Sequence, residues 1–433
     1  MKIIVIAYNF PPCGGGGVQR ATKLVKYLSR FGHSITVVAA SPGDYKLIDE
    51  SLTAEIPPAV RVLRFADRAP LKRFFSGIPV IPKREPQRFL VRAFNKLTRI
   101  AAAWTIVPDL QRAWASDVER ALVPLLQEES FDAILSTSFP YSDHLLGLAL
   151  SRRLGLALVT DFRDPWVRNH FAPPHWPVLR RNLALESSVV RAASKVVVVS
   201  EPMIEIMEKD HPVACAGKMH CITNGYDEED FSGYLALPSK GFEILFAGSI
   251  YGPITLDYLV EGMVTASREL GLPDGSMTLR VIGMKKDLVD TSLKAANDLG
   301  ITCLTAPYLP HSEIIGHYSR ASVLALVLPK IAMEAIVYSG KLFEYLRAGK
   351  PILGLVGEGV AANLIRNSRA GTVVDPEDRD GIRKSVMQLY ADWASGKVFT
   401  SDLELIARYG RESQAREFER LLVEAVNEKK LAS

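Results

Sequence analysis

The chain has 433 residues, 48% of them hydrophobic and 23% charged, enough for two domains with cores of their own, which excludes a disordered or fibrous protein. Its net charge of +4 is too small to name a partner by itself, so the distribution of that charge has to decide. The four cysteines, at 13, 215, 221 and 303, show no paired spacing and no nearby histidine set, which argues against a disulfide framework or a zinc site and for a reducing cytosol.

The opening MKIIVIA runs into Pro11 and Pro12, is too short for a signal segment, and reads as a buried first strand. No run of about 18 apolar residues follows, so any membrane contact is expected to be peripheral. Short Val- and Ile-rich runs then alternate with helical stretches, the pattern of parallel sheets built from βαβ units. The first half predicts strands at Lys2–Tyr8, Ser34–Ala40, Arg61–Phe65, Asp132–Thr137, Leu156–Asp161 and Lys195–Ser200. After a linker-like FSGYLALPSKG, the cycle restarts with FEILFAG, TLRVIG, ITCLTA, VLALVL, PILGLV and GTVVD. The stretch from about Ser401 to Val426 reads as one amphipathic helix.

The expected fold class is therefore α/β, with two Rossmann-like doubly wound domains facing a cleft. Residues 1–232 form the first, with a C-terminal helix of about 410–433 packing back on it, and 240–409 the second. Ligands in such domains sit at the carboxyl ends of the strands, so the loops there carry the chemistry.

Four glycines, Gly14 to Gly17, follow the first strand and precede a helix, where bare backbone lets amides approach an anion. A dinucleotide fingerprint is disfavoured, because Arg20 stands where its third glycine belongs and the second strand ends in Ala39-Ala40-Ser41 without an acid. Arg20 reads either as an anion contact or as a solvated helix residue. After the fifth strand, VTDFRDPWVRN puts Asp161, Arg163, Asp164 and Trp166 in one loop, with a loop-pinning Arg–Asp pair as the plainer alternative. In the second half, Ser339 and Gly340 precede a short helix with Lys341 in its first turn, Gly349 at its C′ position and Pro351 beyond. A helix start with a lysine suits a diphosphate, and Glu344, three residues on and on the same face, suits the vicinal hydroxyls of a ribose. A surface Lys–Glu pair is the alternative there.

Between Lys72 and Arg99, eight basic residues stand against Glu85 alone, for a net +7, interleaved with Phe74, Phe75, Phe89 and Phe94. Such an amphipathic basic surface fits anionic lipid headgroups. No nucleic-acid module accompanies it, so a nucleic-acid partner is not expected.

Taken together, these segments resemble the retaining GT-B glycosyltransferases, in particular the family-4 branch that builds bacterial polysaccharides. The markers span nearly the whole chain: YNFPPCGGGGVQR, FGHSITVV, DFRDPW, VVVVSEPM, ITNGYD, LFAGSIY, GKLFEYLRAGKPIL and YGRESQAREFERLL. The resemblance implies a nucleotide-diphosphate sugar held by the second domain, a glycan or lipid-linked acceptor held by the first, retention at the anomeric carbon and no cofactor or metal. It implies a cytoplasmic protein, peripheral on the inner face of the plasma membrane. Carried onto this chain, Gly15, Gly16, Gly17, Gly248, Ser249, Ser339, Gly340, Lys341 and Glu344 are expected at the donor. Arg163, Asp164 and Lys341 carry the catalytic expectation, with Arg20, Asp161 and Trp166 at the acceptor loop. Two departures stand out. The first glutamate of the family's E-x₇-E motif falls on Ile336, and the Arg and Lys expected after LFAG are replaced by Ser249, Ile250 and Tyr251. They keep two other readings open, a non-catalytic subunit of a polysaccharide assembly complex and a nucleotide-sugar epimerase on the same fold.

Overall fold

The computed structural model describes residues 1–45, 47–68, 107–168, 176–237, 239–250, 254–283, 287–330 and 335–431. The basic run from Lys72 to Arg99 lies outside the described residues, as does Tyr251.

The chain divides into two compact units, the first made of residues 1–222 and 415–433, the second of 223–414. The first unit holds a parallel sheet of strands β1 Lys2–Ile6, β2 Ser34–Ala40, β3 Arg61–Phe65, β4 Ala133–Thr137, β5 Ala157–Phe162, β6 Lys195–Val198 and β7 Met219–Cys221. Their order is β3-β2-β1-β4-β5-β6-β7. The second unit holds β8 Phe242–Ala247, β9 Met277–Ile282, β10 Thr302–Ala306, β11 Val323–Val327, β12 Ile352–Leu355 and β13 Gly371–Val374. These run β10-β9-β8-β11-β12-β13, also parallel. Both orders reverse direction beside the first strand of the unit, between β1 and β4 and between β8 and β11, and such switch points open a crevice at the strand ends.

Strands buried on both faces explain the unbroken apolar runs. In the first sheet Ile3, Val5, Val37, Leu135 and Val159 pack on Leu24, Val25 and Leu28 of the helix Gly16–Arg30 and on Phe418, Leu421, Leu422 and Ala425 of the helix Arg411–Leu431. In the second sheet Ile244, Phe246, Leu279 and Ala325 face Leu259, Met263 and Leu389, while Leu245, Leu324 and Leu326 face Leu342, Phe343 and Leu346.

Two expectations need correction. The stretch 231–241 is not a free linker. Phe231 is buried in the second unit, the Tyr234 hydroxyl donates to the Ala348 carbonyl at 2.8 Å, and the Leu237 amide donates to the Ser319 carbonyl at 3.1 Å. The C-terminal helix is also broken in two, Leu403–Ala407 and Arg411–Leu431. Between them the Tyr226 amide donates to Tyr409 and the Arg411 amide donates back to Tyr226, so the backbone at the break is satisfied by pairing with Tyr226. No helix among the described residues is long and apolar enough to cross a membrane.

Candidate functional site

In the second unit the sequence-predicted donor residues converge at the switch point. β8 ends at Ala247, and the Gly248 amide that follows donates to the Ile282 carbonyl at 2.8 Å. Gly283, at φ 130°, packs so closely on Gly248 that a Cβ there would fall 2.2 Å from the Gly248 carbonyl oxygen, so only glycine fits. The helix Gly340–Ala348 begins at Ser339, whose side chain makes no capping bond, and stops at Gly349 in the left-handed region. In its first turn the Leu342 amide donates to the Ser339 carbonyl at 3.1 Å, while the amides of Gly340 and Lys341 come too early for an intrahelical acceptor. The half-buried Lys341 ammonium lies against Gly248, 3.0 Å from where a Cβ on that glycine would stand. Among the described residues Lys341 makes no hydrogen bond or ion pair. Burial pulls its pKa below the usual lysine range, and the nearby Glu344 charge offsets this only in part.

Glu344, 8% exposed, is held at both oxygens. His311 Nε2 is 3.0 Å from Oε1, and the Tyr318 hydroxyl donates to Oε2 at 2.9 Å. Burial pushes this carboxyl up, but His311, Tyr318 and Lys341 together outweigh it and hold it below the ordinary range, so it is ionised at neutral pH. Neither His311 nor Tyr318 was among the expected site residues.

The glycine loop of the first unit also stands at a switch point. The helix begins at Gly16, preceded by Gly15 at φ 103°, and Gly16 and Gly17 are exposed. A Cβ on Gly16 would meet no atom within 4 Å, so the protein itself sets no steric demand for glycine there. Arg163 reaches this loop. Its Nη1 donates to the Gly17 carbonyl and its Nε to the Ser138 carbonyl, tying the loops after β1, β4 and β5 together. The loops after β1 and β4 are further joined by the Tyr8 amide donating to Asp143 Oδ2 at 2.8 Å and by Asn9 Nδ2 donating to the Phe139 carbonyl at 3.1 Å. Asp143 is fully buried and burial raises its pKa well above the carboxylate range, with Asp109 adding to the effect. Asp164 is half-buried in the same loop as Arg163.

Three expected acceptor residues turn inward instead. Arg20 and Asp161 form a buried pair, with Arg20 Nη2 donating to Asp161 Oδ1 at 2.8 Å and Nε donating to Oδ2 at 3.0 Å. Arg20 also donates to the Ile222 carbonyl at 2.8 Å and lies over the Phe418 ring, so it fastens the first helix to β5 and to the C-terminal helix. Trp166, 4% exposed, is stacked on Tyr141 at 5.1 Å and donates from Nε1 to Asn182 at 2.7 Å. The chemistry these three offer is packing and pairing.

Residues 83–230, about a third of the chain, match the sequence profile described as Glycosyltransferase Family 4. No curated protein matches the chain. Among solved structures it is similar to Alr3699/HepE of Anabaena in complex with UDP, at 14% identity and TM-score 0.60, covering 98% of this chain and 100% of that one. It is similar to WaaG, a glycosyltransferase involved in lipopolysaccharide biosynthesis, at 13% identity and TM-score 0.56 over 98% of each chain. It is also similar to the UDP-GlcNAc 2-epimerase of Neisseria meningitidis bound to UDP-GlcNAc, at 10% identity and TM-score 0.57, covering 98% and 100%. Two parallel-sheet Rossmann-like units and these neighbours give the chain the GT-B fold, and the segment 83–230 agrees with the family-4 resemblance read in the sequence.

Proposed function

We propose that the chain is a glycosyltransferase that takes a sugar from a UDP-sugar and passes it, with retention, to a glycan or lipid-linked acceptor in cell-surface polysaccharide synthesis. The observation that carries the reading is Lys341, a half-buried ammonium beside Gly248 at the end of β8 that makes no direct ion pair among the described residues, at the first turn of a helix that opens at Gly340. Such a place favours a diphosphate. Lys341 and the amides at Ser339–Gly340 take the two phosphates, Ser249 adds a hydroxyl, and Glu344 takes the ribose. Uridine is favoured over other bases because HepE was solved with UDP and the epimerase with UDP-GlcNAc.

In the transfer step the acceptor oxygen bonds to the anomeric carbon as the bond from that carbon to the diphosphate oxygen breaks, and the acceptor proton passes to the departing phosphate. Lys341 stabilises the charge that develops on the leaving group, which is preorganised electrostatics rather than covalent catalysis. The first unit takes the acceptor, with the glycine loop Gly15–Gly17 set by Arg163, and Asp164 beside it. No metal is required. The basic 72–99 region holds the protein on the anionic cytoplasmic face of a membrane, and the lipopolysaccharide role of WaaG supports the polysaccharide context.

Calorimetry of UDP, GDP and their sugar conjugates with wild type and Lys341→Met, without metal, tests the donor site. Selective UDP binding that weakens at least tenfold in the variant supports it. No binding to any nucleotide would instead favour the non-catalytic subunit, the reading that Ile336 and Ser249 also support. Conversion of a UDP-sugar with no acceptor present would favour the epimerase, the activity named for the Neisseria neighbour.

A further inference from the structure

Glu344 sits in the fifth position of a nine-residue helix and is clasped from outside by a single neighbouring helix, His311–Arg320. His311 opens that helix and Tyr318 lies seven residues on, two turns along the same face, so each carboxylate oxygen receives one partner. Tyr318 is 1% exposed and packs edge-on against Tyr345 at 5.2 Å, which fixes its ring. The far side of the His311 ring faces another acid, with Nδ1 3.8 Å from Asp230 Oδ2 on the turn Glu228–Phe231.

Packing alone does not account for this arrangement. An apolar side chain at position 344 could be buried at no such cost, whereas a buried carboxylate must be stripped of water and re-satisfied. Lys341, three residues before it on the same helix face, makes no direct ion pair with it among the described residues. An ionised carboxylate has about four acceptor positions, and His311 and Tyr318 occupy two of them. The remaining two match the two hydroxyls of a ribose.

We infer that His311 and Tyr318 are positioning residues for the nucleoside half of the donor, locking the Glu344 carboxylate in the one orientation that leaves a lone pair on each oxygen for the ribose. The inference rests on the UDP-sugar reading given above and adds two residues that act only through Glu344. It divides the donor into two halves served by separate groups, the ribose by the His311–Glu344–Tyr318 cluster and the diphosphate by Lys341.

The experiment measures binding of UDP, uridine and inorganic pyrophosphate to the full chain by calorimetry, for wild type, Tyr318→Phe, His311→Gln, Glu344→Gln and the double variant Tyr318→Phe/Glu344→Gln. Tyr318→Phe and His311→Gln are each expected to weaken UDP and uridine about tenfold and leave pyrophosphate unchanged. In the Glu344→Gln background Tyr318→Phe is expected to cost nothing further, because it acts through the carboxylate. Additive losses in the double variant, equal losses for all three probes, or unchanged uridine affinity in both single variants would overturn the inference while leaving the donor site in place. Wild type that binds neither UDP nor uridine would remove the nucleotide reading and this inference with it. Thermal melts of each variant separate a folding defect from a binding one, and His311→Gln keeps the test open should Tyr318→Phe fail to fold.

Discussion

Asp161→Ala is expected to damage the first unit severely, although the sequence alone places this residue in a ligand loop. The side chains of Arg20 and Asp161 are 3% and 1% exposed, and Asp161 also accepts from the Thr137 hydroxyl at 2.8 Å. Removing the carboxylate strands a guanidinium in the core, which costs about 3 to 5 kcal/mol. In a unit of this size each kcal/mol lowers the melting temperature by about 2 to 4 °C, so a fall of roughly 10 °C is expected by calorimetric or circular-dichroism melting. Replacing both partners, Arg20→Met with Asp161→Leu, should recover most of that loss, since a buried pair exchanged for apolar packing is often neutral. Burial pushes the Asp161 pKa up, but Arg20, the Thr137 hydroxyl and Arg163 outweigh it and hold the group below its ordinary value. The stabilisation is therefore complete above the unfolded value of about 3.9 and is lost only as pH falls through the folded one, leaving this contribution flat from pH 7 to 5. A melting shift under about 3 °C in Asp161→Ala, or a double variant no better than the single, would refute the reasoning.

Other substitutions separate ligand contact from folding. Gly16→Ala meets no atom and lies in ordinary helical backbone, so the melting temperature should stay within experimental error and any fall in sugar transfer reports on the ligand. Gly283→Ala forces a Cβ onto the Gly248 carbonyl at positive φ, and should lower both the melting temperature and UDP affinity. Burial holds the His144 imidazole down at about 3, against a small opposing pull from Asp161, while its Nδ1 stays 2.8 Å from the Ser136 hydroxyl. Because the unfolded chain takes up this proton below about 6.5, stability falls as pH drops from there toward 3, at about 1.4 kcal/mol per pH unit. Urea melts at pH 7, 6 and 5 should show His144→Gln losing about 2 kcal/mol less than wild type across that range, since the unfolded imidazole is only partly protonated near its own pKa, and an unchanged pH dependence would refute the assignment.

Most of the strand pattern is legible because the inner strands, such as β1, β4, β5, β11 and β12, are buried on both faces and so appear as apolar runs. β7 escapes that reading. Its three residues, Met219, His220 and Cys221, are half-buried at the sheet edge and give no periodic signal. The glycine loop and the GKLFEYLRAG helix are legible from their stop and start chemistry. What the sequence hides is direction. Arg20 and Asp161 are 141 residues apart, and nothing local says that they face each other rather than solvent. Trp166 reads as a ligand contact because it sits among polar neighbours, yet Tyr141 lies flat against it. The partners of Glu344 are 33 and 26 residues upstream, and the available trace was a histidine and a tyrosine seven apart on the inner face of an amphipathic helix.

The path of the chain sets an order of events during synthesis. Residues 223–414 form the second unit as one uninterrupted segment, while the first unit is finished only by residues 415–433. Phe418, Leu421, Leu422, Ala425 and Val426 share one core of the first sheet with the helix Gly16–Arg30, so the nascent first 222 residues leave part of that core open until residues 415–431 are made. At about 5 to 20 residues per second the intervening unit alone takes on the order of 10 to 40 seconds to make. The unit begun first is thus completed last, and through that interval the part of its core that residues 415–431 fill stays open to water.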